Sequence, residues 1–327
     1  METLKDELAR KYGLTNGVSL CRAEGGFIST NYIVETAGKK YFLKQYATNK
    51  LSKVQVVHKA KAFFALKGLP VILPIETTDG DTVMSIGDKH HALFPFIEGG
   101  VHFKRGEIPE TAIKSSARLL ADLHRTGKEC PFVATDVMSY KTKEEFMERV
   151  DELISIISKI TTPSTFDTLA FESLMLKKSL VERDYMPLSE LKGEDPILIH
   201  GDFQDGNIFF DREGRVLKVF DFDKARMGLR AGELWRAVNY MFLNGFFDEH
   251  RLAQARLFIY EYRKAIDIDR DELVNGLEVF YQRIIKSLWI ETFHYLDGNT
   301  RTDVLLENRT TAYLSDHRKQ LFQRLVM

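Results

Sequence analysis

The stretch that decides the fold runs from Ile197 to Asp223: ILIHGDFQDGNIFF (197–210), a DREGR turn (211–215) and VLKVFDFD (216–223). Apolar runs of strand length flank a polar loop, which sets the polar side chains at strand ends. The loop presents Asp202, then Asn207 five positions on, and Asp221 fourteen positions after that. These are hard-oxygen groups, and no cysteine or histidine cluster accompanies them. Hard oxygens suit magnesium, and magnesium in turn suits a densely anionic partner such as a polyphosphate. An isolated His-x-Asp usually means a turn or a helix cap. The combination with an Asn at this offset, a strand, and an Asp before an aromatic does not.

Composition narrows the class. At 327 residues the chain is long enough for two domains, each with its own core. A hydrophobic content of 44% and a charged content of 28% are those of an ordinary globular protein. The net charge of −1 argues against general nucleic-acid binding. Cys21 and Cys130 are the only cysteines, too few and too far apart for a disulfide framework, so a reducing cytoplasm fits. The N-terminus lacks the basic and apolar regions of a signal peptide, and no apolar run approaches a membrane span. The expectation is a soluble cytoplasmic protein; no residue pattern speaks to its oligomeric state. Between Thr36 and Ile75 lie eight lysines and no acid. All but one of them read as a solvated helix face.

Along the chain, Thr3–Lys11 reads as a short helix capped by Thr3. Strands follow at Val18–Ala23, Tyr32–Thr36 and Lys40–Tyr46, a helix at Val54–Leu66, and strands at Val83–Ile86 and His91–Phe96. Beyond Gly99-Gly100 the period becomes helical: Pro109–His124, a helix opened by the capping box Thr142-x-x-Glu145 and running to Ile160, then about Phe171–Tyr185. Past the polar loop come Ala231–Leu243, His250–Ala265, Glu272–Leu296 and Arg309–Leu325. The reading is an α+β chain with a small antiparallel sheet and one helix in residues 1–98, and a larger, mainly helical part in 99–327.

The first part carries the marks of a nucleotide site. Gly25-Gly26-Phe-Ile-Ser29-Thr30-Asn31 lies between the first two strands. Its glycines permit close backbone approach to phosphates, to which Ser29, Thr30 and Asn31 can add donors. Lys44 sits among apolar neighbours on a strand, where an inward-facing lysine needs an anion such as an ATP phosphate. Leu93-Phe94-Pro95-Phe96-Ile97 precedes the glycine pair and reads as a hinge, with Phe94 and Phe96 as apolar walls for adenine.

Asp202, Asn207 and Asp221 have the parts and spacing of the protein-kinase catalytic loop and its later metal aspartate. The His-Gly-Asp-x-x-x-x-Asn form resembles more closely the aminoglycoside phosphotransferase and choline kinase superfamily. Gly68-Leu-Pro-Val71, Leu93-Phe-Pro-Phe-Ile-Glu-Gly99 and Leu120-Ala-Asp-Leu-His124 are similar to its homoserine-kinase-like, type II branch. The resemblance covers roughly residues 15 to 245. It implies a bilobal protein-kinase-like fold, ATP with Mg2+, and transfer of a phosphoryl group to a hydroxyl of a small molecule. By the same resemblance Asp202 is the catalytic base, Asn207 and Asp221 hold the metal, Lys44 anchors phosphate, and His200 supports the loop. Three departures stand out. The helix after the strand lysine has no glutamate, only Gln55 or His58 on the plausible face, so Lys44 is expected to be more mobile without nucleotide and to be ordered by phosphate or by an acid from elsewhere, such as Asp221. Phe222-Asp223-Lys224 lacks the glycine of D-F-G. Glu233-Leu-Trp235 replaces Asp-Leu-Ala.

The acceptor is less legible. Asp223, Glu233, Asp248, Glu249, Glu291 and Asp297 are interleaved with Trp235, Tyr240, Trp289 and Phe293. Acids beside aromatic faces suit an ammonium group, so the expected acceptor is an amino alcohol, an amino acid such as homoserine, an amino sugar or an aminoglycoside. The alternatives are a neutral-sugar kinase and a silent pseudokinase that binds a ligand.

Overall fold

The computed structural model describes residues 2–14, 17–23, 29–132, 142–187, 190–191, 195–306 and 308–326. A five-stranded antiparallel sheet is built from β1 (Ser19–Arg22), β2 (Thr30–Thr36), β3 (Lys39–Gln45), β4 (Met84–Ile86) and β5 (Lys89–Pro95), in the order β1-β2-β3-β5-β4. Strand alternation gives the sheet two faces. Val34, Leu43, Met84 and Leu93 form one, closed by Leu8 of helix α1 (Glu2–Tyr12). Phe42, Lys44, Ala92 and Phe94 lie on the other, because Phe42 pairs with Phe94 and Lys44 with Ala92 across β3 and β5. Helix α2 (Leu51–Leu66) packs on this second face through Val54, while its Val57, Ala60 and Phe64 join the larger core beyond the sheet. Thr3 lies inside α1 rather than capping it.

The rest is mainly helical: α3 (Glu110–Gly127), α4 (Lys143–Ile157), α5 (Thr165–Asp184), α6 (Arg230–Val238), α7 (Glu249–Ala265), α8 (Arg270–Ile285), α9 (Trp289–Tyr295) and α10 (Arg309–Val326). Among them are two small antiparallel pairs, β6 (Ile197–Ile199) with β9 (Arg226–Gly228) and β7 (Ile208–Phe210) with β8 (Val216–Val219). Val71 pairs with Val219 and Val101 with Phe210, which ties the segments flanking the sheet to the β7–β8 pair.

Three helix boundaries differ from the sequence reading. Helix α5 begins six residues before Phe171, because Ser164 and Asp167 form a reciprocal capping box. The single helix expected over 272–296 is two, α8 and α9, broken at Lys286–Leu288. Lys177 Nζ donates to the Ser287 carbonyl at 2.7 Å, satisfying a group that the break frees. Helix α6 ends at Val238 and continues as a π turn, Asn239–Leu243, stopped by Asn244 in the left-handed region. Helix α4 keeps its Thr142/Glu145 box and buries Phe146, Val150, Leu153 and Ile157 as their spacing requires.

Helices α6 and α8 meet at a glycine. A Cβ on Gly276 would stand 2.4 Å from Ala231 Cβ and 2.6 Å from the Ala231 carbonyl carbon. Gly276→Ala is therefore expected to destabilise the protein by about 1–3 kcal/mol through overpacking, read as a lowered urea midpoint. An unchanged midpoint would show that the two helices can separate freely.

Candidate active site

The polar loop connects β6 to β7, and its backbone shape is set by buried groups around it. His200 is fully buried; its Nε2 donates to the Phe220 carbonyl at 2.9 Å, and its Nδ1 accepts the Asp202 amide at 3.2 Å. Burial holds the imidazole below its ordinary range, so His200 is a neutral support for the loop. Gly201 has φ of +81°, and a Cβ there would lie 1.9 Å from the Lys224 carbonyl oxygen, so only glycine fits. Glu233 of α6 accepts both loop amides, His200 N at 3.1 Å and Gly201 N at 2.5 Å. Its carboxylate also accepts from His124 Nε2 at 3.0 Å, and His124 Nδ1 shares a 2.7 Å bond with the Tyr262 hydroxyl.

This loop presents Asp202 and Asn207. Asn207 Nδ2 donates to the Asp202 carbonyl at 2.8 Å, which commits the amide nitrogen and leaves the amide oxygen as the group to offer a cation. Both carboxylate oxygens of Asp202 meet cations: Oδ1 meets Arg236 Nη2 and Oδ2 meets Lys224 Nζ at 3.0 Å. Burial pushes the Asp202 carboxyl up, but Arg236 and Lys224 outweigh it and hold the group well below the usual carboxylate range.

Asp221 follows β8 with φ of +61°, a left-handed conformation uncommon for a residue with a side chain and frequent at functional sites. Its Oδ1 lies 2.7 Å from Lys44 Nζ, and Asp223 Oδ1 lies at the same distance on the same ammonium. Lys44 is 8% exposed. Burial alone would depress its pKa; Asp223 and Asp221 overturn that and hold it charged. The same ammonium keeps Asp221 below its ordinary value despite burial, whereas burial prevails for Asp223 and leaves it raised.

The other expected nucleotide residues are spread more widely. Gly26 lies outside the described residues. Ser29 and Thr30 are half-buried at the start of β2, beside Asn31, which is paired with Lys44 and whose buried Oδ1 has no partner. Phe94 is buried on the Lys44 face of the sheet, whereas Phe96, beyond β5, is 37% exposed. Gln55 is exposed, and His58 bonds the Tyr46 hydroxyl and Thr82, both at 2.7 Å, so neither helix residue partners Lys44. Asp221 and Asp223 do.

Lys61 breaks the expected solvated lysine face. It is 3% exposed, with its ammonium 4.1 Å from the Phe94 ring centre, and burial and then Lys44 push its pKa down to about 7. Sequence reasoning missed it, along with Arg236, Lys224 and the structural role of Glu233. Arg236 lies three residues after Glu233 on one helix, the spacing that puts both on the same face.

The acids expected to receive an ammonium group are not brought together. Asp223 serves Lys44 and Glu233 the loop amides. Asp248 caps α7, Glu249 meets Arg256 and Arg324, Glu291 binds Lys177 at 2.8 Å, and Asp297 is exposed. Trp235 is core, its indole N–H donating to the Leu273 carbonyl. The periodicity of these residues was that of helix packing.

Glu233 makes a pH-dependent contribution. Burial raises its pKa, but His124 overcomes this and brings it down to about 2 from 4.5. A depressed carboxyl stabilises fully above its unfolded value and loses that stabilisation as pH falls toward the folded one. The stability gap between wild type and Glu233→Gln should therefore shrink between about pH 4.5 and 2, by on the order of 3 kcal/mol. Denaturation series across that range measure it, and a pH-independent gap would rule out the ionised anchor.

Residues 19–267 match the model of APH, the phosphotransferase enzyme family. No curated protein matches the chain by sequence at a significant level. Among solved structures, an aminopropanol kinase associated with a microcompartment superposes with a TM-score of 0.65 at 15% identity, covering 100% of both chains. An amicoumacin kinase in complex with AMP-PNP, Ca2+ and Ami gives 0.61 at 15% identity, covering 99% of this chain and 93% of that one. A spectinomycin phosphotransferase in complex with ADP and spectinomycin gives the same score, identity and coverage. The bilobal protein-kinase-like fold is thereby established, and the chain belongs to the APH phosphotransferase family.

Proposed function

We propose that this chain is an ATP- and magnesium-dependent kinase that transfers the γ-phosphoryl group to a hydroxyl of a small molecule. The observation that carries this reading is the 2.7 Å pair between Lys44 and Asp221, 177 residues apart in sequence, on the side of the Asp202–Asn207 loop nearest the sheet. Residues 1–98 form the nucleotide-binding lobe and 99–327 the catalytic and acceptor lobe. The two free cysteines suit a cytoplasmic setting.

Roles follow from chemistry. Lys44 holds the nucleotide phosphates, with Asn31 beside it as a further polar group. The amide oxygen of Asn207 and the carboxylate of Asp221 are a hard-oxygen pair that fits Mg2+. Among the described residues no group of three or more His, Cys, Asp or Glu is placed to hold a metal ion, and in this proposal phosphate oxygens complete the shell. Bound there, the metal would neutralise charge on the phosphates. Asp202 orients the acceptor hydroxyl and takes its proton as the new P–O bond forms and the bond to ADP breaks. The nucleotides and Ca2+ held by the structural neighbours support the cofactor assignment. Because the expected ammonium-binding acids are committed elsewhere, no amine on the acceptor forms part of this proposal.

Asp202→Asn keeps the shape and removes the base, so turnover should fall about 100-fold or more with nucleotide affinity retained. Near-normal turnover would exclude Asp202 as the base. Asp221→Ala should weaken ATP binding only when magnesium is present; calorimetry showing an equal loss without metal would make Asp221 a structural residue.

A further inference from the structure

We infer that the acceptor carries an anionic group, a carboxylate or a phosphate, bound by Arg236 next to the hydroxyl that Asp202 activates. This rests on the phosphotransfer reading above and assigns the charge of its acceptor.

The argument begins with the surplus of positive charge around Asp202. One carboxylate meets two cations, Arg236 on Oδ1 and Lys224 on Oδ2, and Arg226 Nη1 donates to the Lys224 carbonyl at 2.9 Å. Lys224 is half exposed and belongs to the segment that follows the metal aspartate, a place suited to the transferring phosphoryl group. Arg236 is different. It comes from α6, is 6% exposed, and lies 4.4 Å from the centre of the Tyr240 ring. Tyr240 reaches that position from the π turn after α6, an irregularity common at functional sites.

Only one edge of the Arg236 guanidinium is used. Nη2 meets Asp202, while Nη1 is buried and has no partner. A buried guanidinium donor without an acceptor is costly, and a carboxylate or phosphate is the group its planar fork fits best. An acceptor anion on Nη1 would sit beside the base, because the same guanidinium holds both. Its hydroxyl would then lie one or two carbons from the anion. An ammonium there would face the surplus cations instead, and the acids that could have received it are occupied.

The test uses the full chain with Mg-ATP and three sets of acceptors. These are anionic ones (hydroxycarboxylates and, separately, sugar monophosphates), amino alcohols, and neutral sugars. Phosphorylation is followed directly, and acceptor binding by thermal shift with a non-hydrolysable ATP analogue present. Turnover and stabilisation confined to anionic acceptors are expected, and the two anionic arms tell carboxylate from phosphate. Arg236→Met should raise KM for that acceptor about 30-fold or more, with ATP affinity held within about 2-fold. Arg236→Lys should recover part of the loss, which shows that the effect is charge and not misfolding. Turnover of amino alcohols or neutral sugars with every anion inert would overturn the inference and leave the phosphotransfer reading standing. Equal loss of ATP and acceptor affinity in Arg236→Met would overturn it by assigning Arg236 to the nucleotide. Failure of wild type to bind Mg-ATP would remove both.

Discussion

One buried carboxylate organises the catalytic half of this molecule. Glu233 accepts the backbone amides of His200 and Gly201 and the side chain of His124, so α6, α3 and the loop before β7 meet at a single side chain. Two amides and an imidazole compensate the desolvation that would otherwise neutralise it. The loop has little regular structure of its own beyond a single 3-10 turn at Asp205–Asn207, and it depends on this anchor to aim Asp202 and Asn207. Arg236, one turn further along α6, exploits the same placement. The helix that fixes the loop also supplies the cation that touches its base.

Against the sheet a different solution operates. Kinase-like sites commonly pair the strand lysine with a glutamate on the next helix, and α2 has no acid at all. Val57 and His58 fill the helix face instead, one joining the core and the other bonded to Tyr46 and Thr82. The acid comes from the opposite side, where Asp223 occupies the position at which D-F-G would have glycine. The ammonium of Lys44 is thus held from the segment after β8 and not from α2. Lys44 is buried but its carboxylate partners are not, Asp221 being half-buried and Asp223 exposed, and Asp221 is not its sole anion.

The antiparallel sheet, the helix inserted after its third strand and most other helices were legible because their signals are local, whereas the strand order β1-β2-β3-β5-β4 came only with the structure. Alternation, turn glycines and helix spacing survive in any single sequence, and Thr142 with Glu145 wrote its capping box in plain form. The candidates Asp202, Asn207 and Asp221 stood out because their spacing is short and their residue types are unusual together, and the structure brings Asn207 onto the Asp202 carbonyl. What escaped were choices set by tertiary contact. Lys61 is indistinguishable from its solvated neighbours until Phe94 is placed beneath it. The break between α8 and α9 depends on Lys177, more than a hundred residues away. The supposed ammonium pocket failed for the same reason in reverse. Acids and aromatics at helical spacing were meeting caps, arginines and the core, partners that no local window contains.

The charges divide the cleft into unlike halves. On the nucleotide side Lys44 and Lys61 face Asp221 and Asp223, and the lysine nearest Phe94 is pushed down to about 7, so its charge is only partly held at neutral pH. That half is close to balanced before any ligand enters. On the acceptor side Asp202 is outnumbered by Arg236 and Lys224. On the proposed phosphotransfer reading, part of that surplus serves the phosphoryl group, whose oxygens stay anionic throughout transfer. Arg236 is buried against Tyr240 and already shares an edge with Asp202, so its Nη1 is the part of the surplus left without a partner. On the phosphotransfer reading proposed above, this division of charge matches a division of labour: metal and lysine for the donor, guanidinium for the molecule that receives the phosphate.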